Sequence, residues 1–197
     1  MSKQSEDIKL IRNMMERSTK FLVFSSLSPI FAGFVALVGA IYTYFYLQNA
    51  STETFQSKLY VLLPVALLVL SISVVATILF SNAKAKRLKQ KLWSKTSART
   101  LYNLAVQMLA GALFAIILLT RYQYDLIASI TLIFYGLGLI NASKYIFDEL
   151  HYLGIIEVAL GLLSIIWLEQ GLLFWTIGFA ICHIIVGIVM YRKYEKK

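Results

Sequence analysis

Cysteine is nearly missing from this chain. Cys182 stands alone, so no intramolecular disulfide can form and cysteine usage is silent about the redox compartment. Acid is scarce as well. Ten Asp and Glu face 19 Lys and Arg, and charged residues together make up only 15% of the sequence. Catalytic signatures are also lacking. No P-loop, GxSxG, HExxH or dinucleotide fingerprint occurs, and no nucleophile–base or metal constellation stands out, so an enzyme is not expected. No cofactor is implied. A soluble domain of 197 residues that are 59% hydrophobic could not hide its apolar side chains.

What the chain has is a series of apolar runs near 20 residues, the length a helix needs to cross a bilayer. They lie at about 24–47, 59–80, 101–119, 126–141, 152–168 and 172–191. The expected fold is all-α. A polytopic membrane domain over 23–197 would hold six transmembrane helices as three antiparallel hairpins, at about 24–80, 101–141 and 151–191. Pro29, near the start of the first span, is expected to bend it. Ala32, Ala36 and Ala40, widened by Gly33 and Gly39, form a small-residue stripe that lets a neighbouring helix come close. Residues 1–22 read as an amphipathic helix on the cytoplasmic surface or, equally, as a polar extension of the first span. Ser5 can cap it, Glu6 and Asp7 suit its first turn, and Ile8, Ile11 and Met15 recur at helical spacing. Their polarity, followed by an apolar run too long for a signal h-region, predicts no cleavable signal peptide.

Charge predicts the orientation. A basic loop over 81–100 carries Lys84, Lys86, Arg87, Lys89, Lys91, Lys95 and Arg99. Placing it in the cytoplasm places both termini there and leaves only Lys58 and Arg121 of the 19 basic residues outside. That is the positive-inside pattern of a bacterial inner-membrane protein. The net charge of +9 is then a topology and lipid-headgroup signal, and no nucleic-acid partner is expected. The partners implied are anionic lipid headgroups at the cytoplasmic face, a protein docking on loop 81–100, and a second copy of the chain. Eleven of the 12 tyrosines fall near a predicted membrane boundary, where such rings anchor. Tyr135 falls mid-span, where its hydroxyl needs a protein partner.

The hairpins look related. Pro29–Gly33, Gln107–Gly111 and Glu157–Gly161 each set a special residue four before a glycine. The run from Gly138 to Tyr145 matches that from Gly187 to Tyr194, both ending in Lys-Tyr, which equates Phe134 with His183. The segments IRNMMERS near residue 11, LIFYGLGLINASKY at 132–145, and LGIIEVALGLL with LLFWTIGF in the last hairpin are distinctive. On these the whole chain resembles an uncharacterised family of small six-helix bacterial inner-membrane proteins. More distantly, its glycine and leucine spacing is similar to that of the short repeats in acid-resistance inner-membrane proteins. The second resemblance implies a role in membrane stress. Neither supplies a catalytic residue.

Chemistry concentrates in the last hairpin. Glu157 and His183 each lie 13 positions from Gln170 in the turn, so at about 1.5 Å of rise per residue they meet at one depth. Glu157 shares a helical face with Gly154, Gly161 and Ser164, and small faces point into the bundle. The expected intramembrane polar layer comprises Glu157, His183, Gln107 and Thr77. It could exchange a proton in a proton-coupled or solute pathway, or staple the hairpin. One His and one Glu fall short of the three protein ligands a catalytic zinc needs, so no metal is expected. A second candidate is the cytoplasmic edge of Asn141, Lys144, Asp148, Glu149 and His151, which could dock a partner or form local ion pairs. The leading expectation is a non-catalytic membrane protein, structural or stress-related. The alternative is a small proton-coupled transporter or channel.

Overall fold

The computed structural model describes residues 24–50 and 52–196, so the amphipathic segment read over 1–22 lies outside the described residues. Among these the chain is helical without strands, and six helices are long and apolar enough to span a membrane. They are α1 (Leu27–Asn49), α2 (Phe55–Arg87), α3 (Lys95–Thr120), α4 (Ile127–Ser143), α5 (Glu149–Ile166) and α6 (Leu168–Tyr194). A single 3-10 turn, Tyr124–Leu126, leads into α4. Helix α6 is composite. It opens with a 3-10 turn, is α-helical over Gly171–Thr176, π-helical over Ile177–Cys182 and α-helical again over His183–Tyr194.

Local chemistry explains the ends. Thr54 caps α2 by accepting from the Ser57 N–H. Ser94 and Ser97 form a reciprocal capping box at the start of α3, with bonds of 3.1 and 2.9 Å. The basic segment read as a loop over 81–100 is mostly helix, and only residues 88–94 connect α2 to α3. The run Ala83–Arg87 continues α2 because Ala, Lys and Arg are strong helix formers and cations suit a C-terminal turn. The bend expected at Pro29 has no cause. Pro29 is the third residue of α1, in the first turn, where the missing N–H has no intrahelical partner to lose. Pro64 does sit inside α2.

The helices pack around α4 and α6. Helix α4 lies between α3 and α5, α6 lies against α1 and also touches α4 and α5, and α2 leans on α1. The tightest pairing is α4 with α5 across the short 144–148 turn. It is set by glycine: a Cβ on Gly136 would stand 2.6 Å from the Gly154 carbonyl oxygen, and one on Gly161 would stand 2.9 Å from that of Ser129. Backbones meet directly there, as small residues permit in lipid. The main apolar core, Leu139, Ala142, Ile146, Phe147, Leu150, Leu153 and Met190, fills the end of the bundle where the 144–148 turn meets α6.

Candidate functional site

Glu157 projects from α5 into the space between α4 and α6 and is 0% exposed. Its Oε1 stands 3.4 Å from His183 Nδ1, so the residues predicted to share a depth do meet. His183 is also buried, at 4%. The π-helical turn explains its setting. His183 follows it directly, and its Nδ1 lies 3.0 Å from the carbonyl oxygen of Gly178, five residues back. A carbonyl only accepts, so in the neutral ring Nδ1 carries the proton and Nε2 is the acceptor. Nε2 then accepts a hydrogen bond from the Tyr135 hydroxyl at 2.8 Å. Phe179 and Tyr135 lie against the imidazole, with centroids 5.8 and 5.4 Å away.

The carboxylate is less well served. One Nδ1–H faces two acceptors, Gly178 O and Glu157 Oε1, and the nearer is the carbonyl. Neither oxygen of Glu157 has a hydrogen-bond partner among the described residues. Glycine makes room for it, because a Cβ on Gly178 would collide with Glu157 Oε2. An ionised carboxylate buried this way costs several kcal/mol unless paired.

The structure assembles only part of the predicted layer. Tyr135, set apart in the sequence as a mid-span hydroxyl, joins Glu157 and His183. Gln107 does not. It lies under Gly138, where a Cβ would be 3.6 Å from its own, whereas Glu157 lies under Gly136. Two residues along a helix is about 200° of rotation, so α4 stands between Gln107 and Glu157. The Gln107 Oε1 is buried without a hydrogen-bond partner among the described residues. Thr77 is also elsewhere. Its hydroxyl donates to Ser73 O within α2 at 2.8 Å, and α2 packs on α1. Ser129 is a polar partner the sequence reading missed. It donates to Ser164 at 3.0 Å, both fully buried between α4 and α5. Ser164 sits seven residues from Glu157 on the same face, and that spacing was the available signal. Among the described residues no three His, Cys, Asp or Glu side chains converge as a metal site would require.

The residues read as a cytoplasmic edge do not form one site. Lys144 reaches Asn141 at 3.4 Å, and His151 Nδ1 lies 3.4 Å from the Ser143 hydroxyl. Glu149 turns to α6, accepting from Lys193 at 2.6 Å and from Tyr194 at 3.2 Å. Asp148 follows the same turn at the foot of α5.

A clasp that no motif announced ties the start of α1 to the ends of α2 and α6. Glu195 Oε1 accepts from the Ser26 N–H at 2.8 Å and from Lys84 Nζ at 2.9 Å. Lys84 also donates to Phe24 O at 2.9 Å and sits 5.5 Å above the Phe147 ring. Partial burial alone would raise the Glu195 pKa, but the Ser26 and Lys84 hydrogen bonds favour the charged form and hold it below the usual carboxylate value.

No family model, curated protein or solved structure matches this chain.

Proposed function

We propose that this chain is a non-catalytic multi-pass protein of the bacterial inner membrane, structural or stress-related, acting through helix packing, lipids or a protein partner. Three related hairpins with both termini in the cytoplasm complete the reading. The supporting observation is the enclosure of its most polar site. On α5, Glu157 is bracketed by Gly154 and Gly161, and at both glycines the backbones of α4 and α5 touch. No aqueous route along that seam fits between such contacts. The Tyr135–His183–Gly178 chain has the character of a staple: the Tyr135 bond joins α4 to α6, and the Gly178 bond within α6 holds the ring in place.

One observation favours a second reading. The unpartnered oxygens of Glu157 are what a proton-coupled site would hold ready, and an intramembrane carboxylate is a functional candidate by default. Proton flux into liposomes separates the two. Under the proposed reading, liposomes carrying the protein dissipate a pH gradient no faster than empty ones, and Glu157→Gln leaves the fold intact. A flux present in the native protein and abolished by Glu157→Gln at unchanged melting temperature would replace this reading with proton-coupled transport.

A further inference from the structure

Helices α2 and α3 follow one another in the chain yet do not pack together. Helix α2 leans on α1, α3 leans on α4, and only residues 88–94 join them. Just 6% of the apolar window of each is buried, against 39% in the α4 span. At the outer end the two helices flank a common open cavity of about 380 Å³, with Leu59 on one side and Leu119 on the other. The Phe55 ring stacks on Tyr124 at 3.8 Å beside it. Inward of that cavity the two helices remain unpacked against each other and expose apolar side chains, among them Val75 on α2 and Leu109 on α3, so an apolar cleft separates them.

Its charge is one-sided. From Thr54 to Tyr124 the chain contains no Asp or Glu and nine Lys or Arg. Seven of them gather at the inner end, and Lys84 alone of these is spent on the Glu195 clasp. Lys86, Arg87, Lys89, Lys91, Lys95 and Arg99 form no ion pair among the described residues. The exposed Trp93, at 67%, stands among them, a ring suited to the headgroup layer. Above this cationic rim the exposed side chains turn apolar at once, with Leu79 on α2 and Leu101 on α3.

We infer that the α2–α3 cleft holds an anionic phospholipid of the inner leaflet, its phosphate on the 86–99 rim and its acyl chains between the two helices. The inference rests on the membrane reading above, keeps the anionic headgroup expected at the cytoplasmic face, and adds a defined place for the lipid between two helices. A purely apolar face would take any lipid. Six cations without an ion pair among the described residues, in a stretch without one carboxylate, select a negative headgroup, and the absence of α2–α3 packing leaves room for the chains.

Native mass spectrometry of the full chain released from nanodiscs of phosphatidylethanolamine and phosphatidylglycerol tests this. The expected result is retained phosphatidylglycerol enriched over its share of the bilayer. In an Arg87→Gln/Lys91→Gln/Lys95→Gln variant that enrichment falls on the order of tenfold or more, given the contribution of each cation near an anionic surface. Leu101→Trp, which crowds the chains and keeps the cations, lowers total retention without changing headgroup preference. Retention in the bilayer ratio, an unchanged triple variant, or a dimer that excludes lipid from this face each overturns the inference. Failure to enter nanodiscs at all would instead overturn the membrane reading beneath it.

Discussion

The hydroxyl of Tyr135 on α4 and Nε2 of His183 on α6 stand 2.8 Å apart in the interior of the bundle. The bond assigns the ring's tautomer, because Nδ1 is already committed to Gly178 O. It also joins α4 to α6, which lie less closely together than α4 and α5 do. In lipid, where chain packing gives helices little mutual preference, such a bond helps decide which neighbours stay together. Tyr135→Phe is expected to lower stability by about 1–2 kcal/mol, since it leaves a buried nitrogen without its donor. Chemical denaturation in detergent micelles measures it. No change would mean that the hydroxyl is not used.

The space under Gly178 is taken by the Glu157 carboxylate and Leu132. Gly178→Ala must therefore displace both of them and is expected to destabilise by about 1–3 kcal/mol, as overpacking does. Combining it with Glu157→Ala removes one of the two obstacles. The double variant should be more stable than the sum of the single effects implies, and strict additivity would show that the carboxylate does not stand there.

The α4–α5 crossing has less room to give, because a Cβ on Gly136 meets backbone as well as side chain. Gly136→Val should cost more than the same change at Gly138, whose nearest neighbour is the flexible end of Leu104. Paired thermal melts of the two variants check the order, and a reversal would argue against direct backbone contact at Gly136.

The Glu195 clasp has a pH signature. Its carboxyl titrates below the ordinary value in the folded chain, so the folded state binds the proton less readily than the unfolded one. The resulting stability is fully present above the ordinary carboxylate range and is lost as pH falls through the lowered folded value. Glu195→Gln should lower the melting temperature at neutral pH and shrink the further loss on acidification. An identical acid profile in both proteins would dissociate Glu195 from the effect.

Topology is testable with the chain's single cysteine removed. In a Cys182→Ser background, Tyr122→Cys should react with a membrane-impermeant thiol reagent added outside intact cells, and Gln90→Cys should react only after permeabilisation. The opposite pattern would invert the orientation drawn from the basic loop.

Much of this protein follows from periodicity and composition. The six spans are legible because a helix must hide about 20 residues of backbone from lipid, and nothing but a long apolar run does so. The meeting of Glu157 and His183 is legible for a related reason: a three-residue turn with equal arms leaves one depth for both. Gln107 and Thr77 look equally suitable as layer members by depth, yet they face other helices. Depth comes from counting residues, whereas facing depends on which helices become neighbours. The clasp was hidden for the same reason. Lys84 reads as one more cation in a basic run, and only the approach of the chain's tail to the start of α1 gives it a partner.

The sequence by itself therefore determined the class of molecule, the number of spans and the depth of the buried pair, because each follows from distance along one helix. The tertiary structure decided that α4 would bind α5 more closely than α3, that α6 would lie against α1, and that α2 and α3 would stand apart. Those choices depend on where two backbones can touch, at Gly136 with Gly154 and at Gly161 with Ser129. A contact between distant surfaces has no period along the chain for a reader to find.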